Sequence, residues 1–135
     1  MKRILVVDDY KPFLEELSRT ARSSEISVST AATSKDAIEQ IRQGPFDLVI
    51  TDLMLEHQTA HDGLSVVQAA RQDEFTQVIV VTAYGSPELS VEAMELGAFD
   101  YLERGTPGTN FRKMLAAKIR LALDFQSAKL AVAGR

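Results

Sequence analysis

Three runs of consecutive apolar residues, at positions 4–7, 48–50 and 78–81, constrain the fold of this chain most strongly. Each run is shorter than an ordinary helix, and a polar residue follows it directly. Uninterrupted apolar runs of this length are typical of parallel strands, because both faces of such strands are buried. Helical patterns of apolar residues lie between the runs, and parallel strands need such crossovers. The spacing therefore predicts an α/β domain built on a parallel sheet.

Two further strands are predicted at the edges of this sheet. Residues 26–30 alternate apolar and polar side chains, which indicates a half-exposed strand, and residues 99–102 combine Asp100 with aromatic side chains. Because mixed strands belong at sheet edges, the predicted order is 2-1-3-4-5, a flavodoxin-like doubly wound sheet with five helices on both faces. The helices are predicted to start at Pro12, at a cap on Thr33, at Gly63 (to Arg71), at Ser86 with a stop at Gly97, and at about Thr109.

The composition narrows the class of protein. The chain has 135 residues, enough for one domain with its own core, which is predicted over 1–128 with 129–135 as a tail or the start of a linker. The net charge of −4 argues against nucleic-acid binding, and the lack of cysteine excludes disulfides, zinc thiolates and thiol catalysis. No apolar run is long enough to span a membrane or to act as a signal peptide, so we expect a cytoplasmic protein without a membrane partner.

Acidic residues follow two strands that the predicted order makes neighbours. Asp8 and Asp9 follow the first strand and Asp52 follows the third, while Thr82 and Arg104 follow the next two strands at the same edge. Two carboxylates about 4 Å apart repel by roughly 4 kcal/mol at the effective dielectric of a protein surface, so this cluster favours a bound proton or a cation. A cluster that offers only oxygen ligands suits Mg²⁺. The alternative is that Asp8 and Asp9 only cap the first helix.

Five sequence motifs at these positions resemble those of response-regulator receiver domains in two-component signalling, over essentially the whole chain. They read I-L-V-V-D-D (4–9), D-L-V-I-T-D-L-M-L (47–55), D-G-L (62–64), V-V-T-A-Y-G-S (80–86) and G-A-F-D-Y-L-E-R (97–104). The resemblance implies a phosphoacceptor switch, with Mg²⁺-dependent self-phosphorylation and self-dephosphorylation, and not an enzyme that turns over a separate substrate. It also implies a partner that supplies the phosphoryl group, either a histidine kinase or a phosphotransfer protein.

The resemblance assigns roles to the residues at the acidic edge. Asp52 is the expected phosphoacceptor, and Mg²⁺ is expected on Asp8, Asp9, Asp52 and the backbone carbonyl of Met54.

The residues that correspond to the switch of the family follow the fourth strand or lie in the fifth. The resemblance implies that the Thr82 hydroxyl moves to the phosphoryl group, that Ala83 offers its backbone N–H, and that Tyr101 swings inward behind Thr82.

Two segments depart from the family pattern. Arg104-Gly105 stands where the family usually has Lys and Pro. Because a planar guanidinium is not equivalent to an ammonium group, Arg104 is expected either to contact the phosphoryl group or to point to solvent.

The segment Glu56–His61 is longer than the family pattern by about three residues and contains His57. Its alternatives are a transition-metal site, a solvated loop (the simpler expectation) and a cover over Asp52.

The last helix is longer than the fold requires, which indicates that part of it contacts another protein or leads into a linker. Its stripe against the sheet is expected to comprise Phe111, Met114, Leu115, Ile119 and Leu121. The apolar residues expected beyond the sheet are Leu123, Phe125, Leu130 and Val132. These either extend a homodimer interface formed by the fourth helix, fifth strand and fifth helix, or belong to a fraying linker. The pattern after Thr82 also resembles receivers that precede an output domain of transcription activators.

A second class of function remains open from the sequence. A pseudo-receiver would keep the fold and act as a protein-interaction module without phosphorylation, and Arg104 and the altered loop favour it. Two other classes are disfavoured. A flavodoxin needs a phosphate loop where this chain has Asp8 and Asp9, and a dehalogenase-type phosphatase needs an acid at the position of Met54.

Overall fold

The computed structural model describes residues 1–55, 60–83, 86–105 and 110–135. Its sheet has five parallel strands in the order β2-β1-β3-β4-β5, which confirms the predicted topology. The strands are β1 (Lys2–Val7), β2 (Ile26–Ala31), β3 (Leu48–Thr51), β4 (Gln77–Thr82) and β5 (Asp100–Glu103). The helices are α1 (Lys11–Ala21), α2 (Ser34–Gln43), α3 (Ala60–Ala70), α4 (Pro87–Glu95) and α5 (Phe111–Val132).

The burial of the strands explains their order. Every residue of β3 and β4 is buried, whereas β2 and β5 are only partly covered. Strands that are apolar throughout lose the most by facing water, so they occupy the centre, with β1 between β3 and β2.

Alternate residues of each central strand enter two separate cores. Leu5, Val49 and Val80 lie in the core with residues of α2, α3 and α4. Ile4 and Ile50 lie in the second core, with residues of α1 and α5. Among the described residues, no helix combines the length and the apolar character needed to cross a membrane.

Most helix ends lie close to the signals in the sequence. The Thr33 hydroxyl accepts a hydrogen bond from the Asp36 N–H at 3.1 Å, and the Ser86 hydroxyl accepts one from the Leu89 N–H at 3.1 Å. Gly97 follows the end of α4 with a φ of +103°, a conformation that favours glycine. Among the helix starts, that of α3 has the largest error, because α3 begins three residues before the predicted Gly63.

Helix α5 is covered by the sheet further along its length than the sequence predicts. Its buried residues are Leu115, Ile119, Ala122, Leu123 and Gln126. Burial of Leu123 contradicts its predicted place beyond the sheet. At about 1.5 Å per residue the helix rises about 22 Å from Phe111 to Gln126, close to the roughly 20 Å length of a six-residue strand. The sheet therefore covers α5 as far as Gln126.

The predicted stripe of α5 is also partly wrong. Met114 and Leu121 are 38% and 56% exposed, because each is turned about 100° from its buried neighbour, Leu115 or Ala122. Phe125 and Val132 are exposed as predicted, and the helix is continuous to Val132. The predicted domain boundary after 128 stays a prediction.

Candidate functional site

The acidic cluster is assembled by the backbone of two neighbouring strands. The N–H of Asp8 donates to the Ala31 carbonyl at 3.1 Å, and the N–H of Asp52 donates to the Val7 carbonyl at 3.1 Å. These bonds extend the ladders of β1 and β3 by one residue, so both aspartates project from the same sheet edge. Each of Asp8, Asp9 and Asp52 contributes a carboxylate oxygen to a group whose members lie within 4.8 Å of one another.

The electrostatics of the cluster favour a positive ligand. Asp8 is only 2% exposed, and burial raises the pKa of its carboxyl to about 6. Burial also raises the pKa of Asp52, and the neighbouring charge of Asp9 adds to both increases. Backbone donors oppose these increases, the Tyr10 N–H at Asp8 and the Met54 N–H at Asp52, and the positive charge of Arg104 lowers both pKa values as well.

The donor set of the cluster fits a hard divalent cation. Its described ligands are carboxylate oxygens on three residues, of the kind that Mg²⁺ and Ca²⁺ accept. Two of the three carboxyls have raised pKa values, so a cation among them would relieve their repulsion. The Met54 N–H donates to the Asp52 carboxylate at 3.3 Å, which places this backbone beside the cluster. Coordination by the Met54 carbonyl stays a prediction.

The alternative of simple helix capping has less support. Tyr10, not an aspartate, is the N-cap of α1, and its side chain makes no capping hydrogen bond. The Asp8 carboxylate accepts from the N–H of Tyr10 at 2.9 Å, and the side chain of Asp9 is exposed beside the other acids.

Gly63 has a structural role at this edge that the sequence interpretation missed. Its N–H donates to the Leu53 carbonyl at 2.9 Å, so α3 begins directly against the backbone that carries Asp52. A Cβ at Gly63 would lie 2.3 Å from the Asp52 carbonyl oxygen and 2.3 Å from the Leu53 Cα. Only glycine permits this approach, and the D-G-L motif was the signal for it.

The predicted switch residues lie on β4, on β5 and just after β4. Thr82 is buried at the end of β4, and its carbonyl accepts from the Arg104 N–H at 2.8 Å. Tyr101 packs partly buried against the core on the α4 side. Burial raises the pKa of the Tyr101 phenol, and a hydrogen bond from the Ser86 backbone opposes this increase. Ala83 is half-buried after Thr82. The inward movement of Tyr101 stays a prediction.

Arg104 does not point to solvent, so that expectation is wrong. Its side chain is only 10% exposed and lies 3.5 Å from Glu16, measured from Nη2 to Oε2. The guanidinium carbon is 3.5 Å from the ring centre of Phe13 and 4.7 Å from that of Phe111. The sequence interpretation missed this group, although Phe13 and Glu16 are spaced three apart and so share a helix face.

The histidine-loop hypothesis cannot be related to this geometry. Residues 56–59 lie outside the described residues, and so do the side chains of Ala60 and His61. The metal and cover hypotheses for this loop therefore stay predictions.

Comparisons with known proteins agree with the geometry. The family model described as "Response regulator receiver domain" matches residues 4–116. The response regulator protein PilR of Pseudomonas aeruginosa is 33% identical over 121 residues, which are 89% of this chain and 26% of that protein. This chain therefore spans about a quarter of the length of that relative.

Solved structures of the same fold extend over nearly the whole chain. A CheY-like response regulator receiver domain from Methanospirillum hungatei has a TM-score of 0.82 at 29% identity, covering 96% of this chain and 98% of the other. The beryllofluoride-activated NtrC4 receiver domain, solved as a dimer, has a TM-score of 0.79 at 26% identity and covers 93% of this chain and 99% of the other.

Proposed function

Since this chain belongs to the response regulator receiver domain family, we propose that it accepts a phosphoryl group on Asp52 and signals through its α4-β5-α5 face. The observation that carries the proposal is the convergence of Asp8, Asp9 and Asp52 at the carboxyl edge of adjacent central strands. Open α/β sheets bind their ligands at this edge, next to the point where the strand order reverses. The phosphoryl donor is a phosphohistidine of a histidine kinase or of a phosphotransfer protein.

The proposed transfer is a single displacement at phosphorus. A carboxylate oxygen of Asp52 attacks the phosphorus, the P–N bond to the imidazole of the donor breaks, and the electron pair stays on that nitrogen. The product is an acyl phosphate on Asp52, which water later hydrolyses to inorganic phosphate. Because the transition state is loose and its charge is spread over oxygens, positioning and positive charge provide most of the catalysis.

The acidic cluster is proposed to hold Mg²⁺ through Asp8, Asp9, Asp52 and the Met54 carbonyl. The cation, when bound, neutralises charge on the carboxylates and on the transferring oxygens. The residues of the chain do the rest: the backbone bonds of Asp52 hold its carboxylate at the sheet edge, and the Ala83 N–H is proposed to donate to the phosphoryl group.

The proposed switch connects this edge to the α4-β5-α5 face. Phosphorylation replaces the single negative charge of the Asp52 carboxylate with a phosphoryl group that carries about two, and its oxygens attract the Thr82 hydroxyl and the cation of Arg104. Movement of Thr82 leaves space behind it, and Tyr101 is proposed to fill that space. The place of Tyr101 on β5, where it packs partly buried against the core on the α4 side, supports this step.

A labelling experiment tests the acceptor. Incubation with acetyl phosphate and Mg²⁺ is expected to add the mass of one phosphoryl group to the intact protein, with acetate as the leaving group. Asp52→Asn should abolish the addition, whereas Asp124→Asn, at an exposed position on α5, should leave it unchanged. Persistent labelling of the Asp52→Asn protein would contradict the assignment.

A symmetric homodimer through α4, β5 and α5 is part of the proposal. Val91 and Met94 on α4, with Leu121 and Phe125 on α5, are exposed apolar side chains on these two helices. The related NtrC4 receiver was solved as a dimer in its beryllofluoride-activated form, which supports the idea. An output domain is also proposed, because the matched relative is much longer than this chain.

Sedimentation with and without beryllofluoride tests the dimer. The dimer fraction should rise when beryllofluoride and Mg²⁺ are added, and Met94→Asp should prevent the rise because it places a charge in the interface. Ser27→Asp, on the edge strand β2, is the control and should leave the beryllofluoride-dependent rise in the dimer fraction unchanged. A monomer under all conditions at high concentration would exclude this dimer.

The second candidate is a pseudo-receiver that acts by binding alone. The observation that favours it is that Arg104 pairs with Glu16. Its positive charge is therefore not directed at Asp52 alone. The labelling experiment separates the two candidates, since a pseudo-receiver acquires no phosphoryl group.

A further inference from the structure

Arg104 occupies an enclosed site formed by two helices. Phe13 and Glu16 come from α1 and Phe111 comes from the start of α5; these three residues are called the guanidinium cradle below. The ring centre of Phe13, 3.5 Å from the guanidinium carbon, is close enough for cation–π attraction, and Phe111 is 4.7 Å away. The cradle therefore contacts the cation through two aromatic rings and one carboxylate.

Only one of the two terminal guanidinium nitrogens pairs with a carboxylate of the cradle. Nη2 lies 3.5 Å from the Glu16 carboxylate, whereas Nη1 is buried and has no hydrogen-bond partner among the described residues. A buried donor without a partner costs free energy, more so when the donor carries charge. An unused, charged donor so close to the acidic edge is available to an anion that is not part of the resting protein.

The direction from which such an anion would come is indicated by the surrounding charges. Arg104 directly follows β5, and its N–H is bonded to the Thr82 carbonyl at the edge that carries Asp8 and Asp52. Both of those carboxyls experience the positive charge of Arg104. Glu16 therefore lies on one side of the guanidinium, and the acidic cluster lies within electrostatic reach of it.

We infer that Arg104 is a two-anion bridge, in which Nη2 stays with Glu16 while Nη1 donates to the phosphoryl group on Asp52. This inference rests on the proposed phosphorylation of Asp52 and adds Glu16 and Phe13 as positioning residues for the phosphorylated state. Glu16 holds one arm of the fork, and the Phe13 ring fixes its plane. Through this bridge the phosphorylation of Asp52 is coupled to α1 as well as to the α4-β5-α5 face.

The bridge explains why an arginine can serve at this position. A guanidinium has donors on separate nitrogens in a fixed plane, so it can bond two anions at once and stack on an aromatic ring. An ammonium is a single centre and cannot keep the Glu16 and Phe13 contacts while reaching the phosphoryl group. Arg104→Lys is therefore expected to lose the coupling to Glu16.

The test measures how tightly the protein binds beryllofluoride, a phosphoryl mimic, at saturating Mg²⁺. The beryllofluoride concentration at half-saturation is followed by NMR. Glu16→Gln should raise it about threefold and Arg104→Ala about tenfold, because a charge-assisted hydrogen bond is weakened in the first variant and lost in the second. Glu15→Gln, the exposed neighbour on α1, should leave it unchanged.

A double-mutant cycle separates the bridge from general stabilisation. In an Arg104→Lys background, Glu16→Gln should have no further effect on half-saturation, because the fork is absent. Tighter binding in the Glu16→Gln single variant would overturn the bridge, since it would mean that Glu16 competes with the phosphoryl group for Arg104. An unchanged value in that variant would overturn it as well.

The same experiment separates a failure of the proposed function from a failure of the bridge alone. If the unaltered protein shows no beryllofluoride response and no labelling by acetyl phosphate, the proposed function fails. If it responds and is labelled, but Glu16→Gln behaves like Glu15→Gln, only the bridge fails.

Discussion

At the amino edge of the sheet Asp47 has a partner for each carboxylate oxygen, whereas at the carboxyl edge Asp8 and Asp52 lie beside each other and beside a third carboxylate, that of Asp9. One oxygen of Asp47 accepts from the Arg3 N–H at 2.7 Å and the other from the Gln126 amide at 2.6 Å. Lys2 donates to the same Gln126 side chain and lies 4.0 Å from Asp47. The amino edge is thus a closed polar network that attaches α5 to the sheet.

The carboxyl edge is the opposite case. Two of its carboxyls have raised pKa values, and one buried donor, Arg104 Nη1, has no hydrogen-bond partner among the described residues. Buried polar groups are normally satisfied, so leaving a charged donor unsatisfied at this edge costs stability. The difference between the edges shows a division of roles along the same strands. The amino ends contribute to stability, and the carboxyl ends keep groups available for binding.

The largest expected effect that tests this division concerns metal binding at the carboxyl edge. Asp9→Ala should weaken Mg²⁺ affinity at least about a hundredfold, since even outer-shell changes cost ten- to a hundredfold. Titration calorimetry measures it. Asp47→Asn, at the other edge, should leave the affinity unchanged.

The same titration tests the histidine loop. His57→Ala combined with His61→Ala should leave Mg²⁺ affinity close to that of the unaltered protein. If this double variant weakened binding more than Asp9→Ala did, the acidic cluster would not be the metal site and the loop hypothesis would return.

The next effect concerns stability at the amino edge. Gln126→Ala removes the side chain that joins Lys2 to Asp47 and leaves both partly unpaired in a half-buried place. We expect the free energy of unfolding to fall by about 2 kcal/mol, measured by urea denaturation. Labelling by acetyl phosphate should persist in this variant. Ser127→Ala, at the exposed next residue, is the control. An equally large loss of stability in this control would contradict a specific contribution of the Gln126 network.

The smallest effect is a pH dependence of the metal-free protein. The folded-state pKa of Asp8 is about 6, above its ordinary value of 3.8, so the folded protein binds this proton more tightly than the unfolded chain does. Stability from this group is therefore present at low pH and is lost as the pH rises through 6. From pH 7 to pH 5 we expect the unaltered protein to gain about 1.4 kcal/mol more stability than Asp8→Asn, in which the raised pKa of Asp52 still contributes. A parallel pH profile for the two proteins, measured without metal, would contradict this assignment.

Much of the fold and the candidate site was predictable, for reasons visible in particular residues. Apolar runs such as 48–50 gave the central strands because a strand buried on both faces excludes polar side chains. Asp8, Asp9 and Asp52 could be placed together because parallel strands end at a common edge. Thr33 and Ser86 marked helix starts because a cap depends on local hydrogen bonds.

The misplaced residues all depend on how elements pack. Leu121 and Leu123 are both leucines on one helix, yet one is exposed and the other is buried, because the rotation of α5 on the sheet decides which of them faces the core. The environment of Arg104 could not be predicted either, since its three neighbours come from α1 and α5.

The sequence by itself determined the strand order, the sheet edge that carries the acids and the local signals that start and stop helices. These follow from residue patterns shorter than one element and from the geometry common to all parallel sheets. Only the tertiary structure decided that α5 is covered as far as Gln126, that Asp47 closes the amino edge, and that Arg104 lies in the guanidinium cradle. Each of these depends on contacts between residues far apart in the chain, whose distances are set by helix rotation and packing and not by any local pattern.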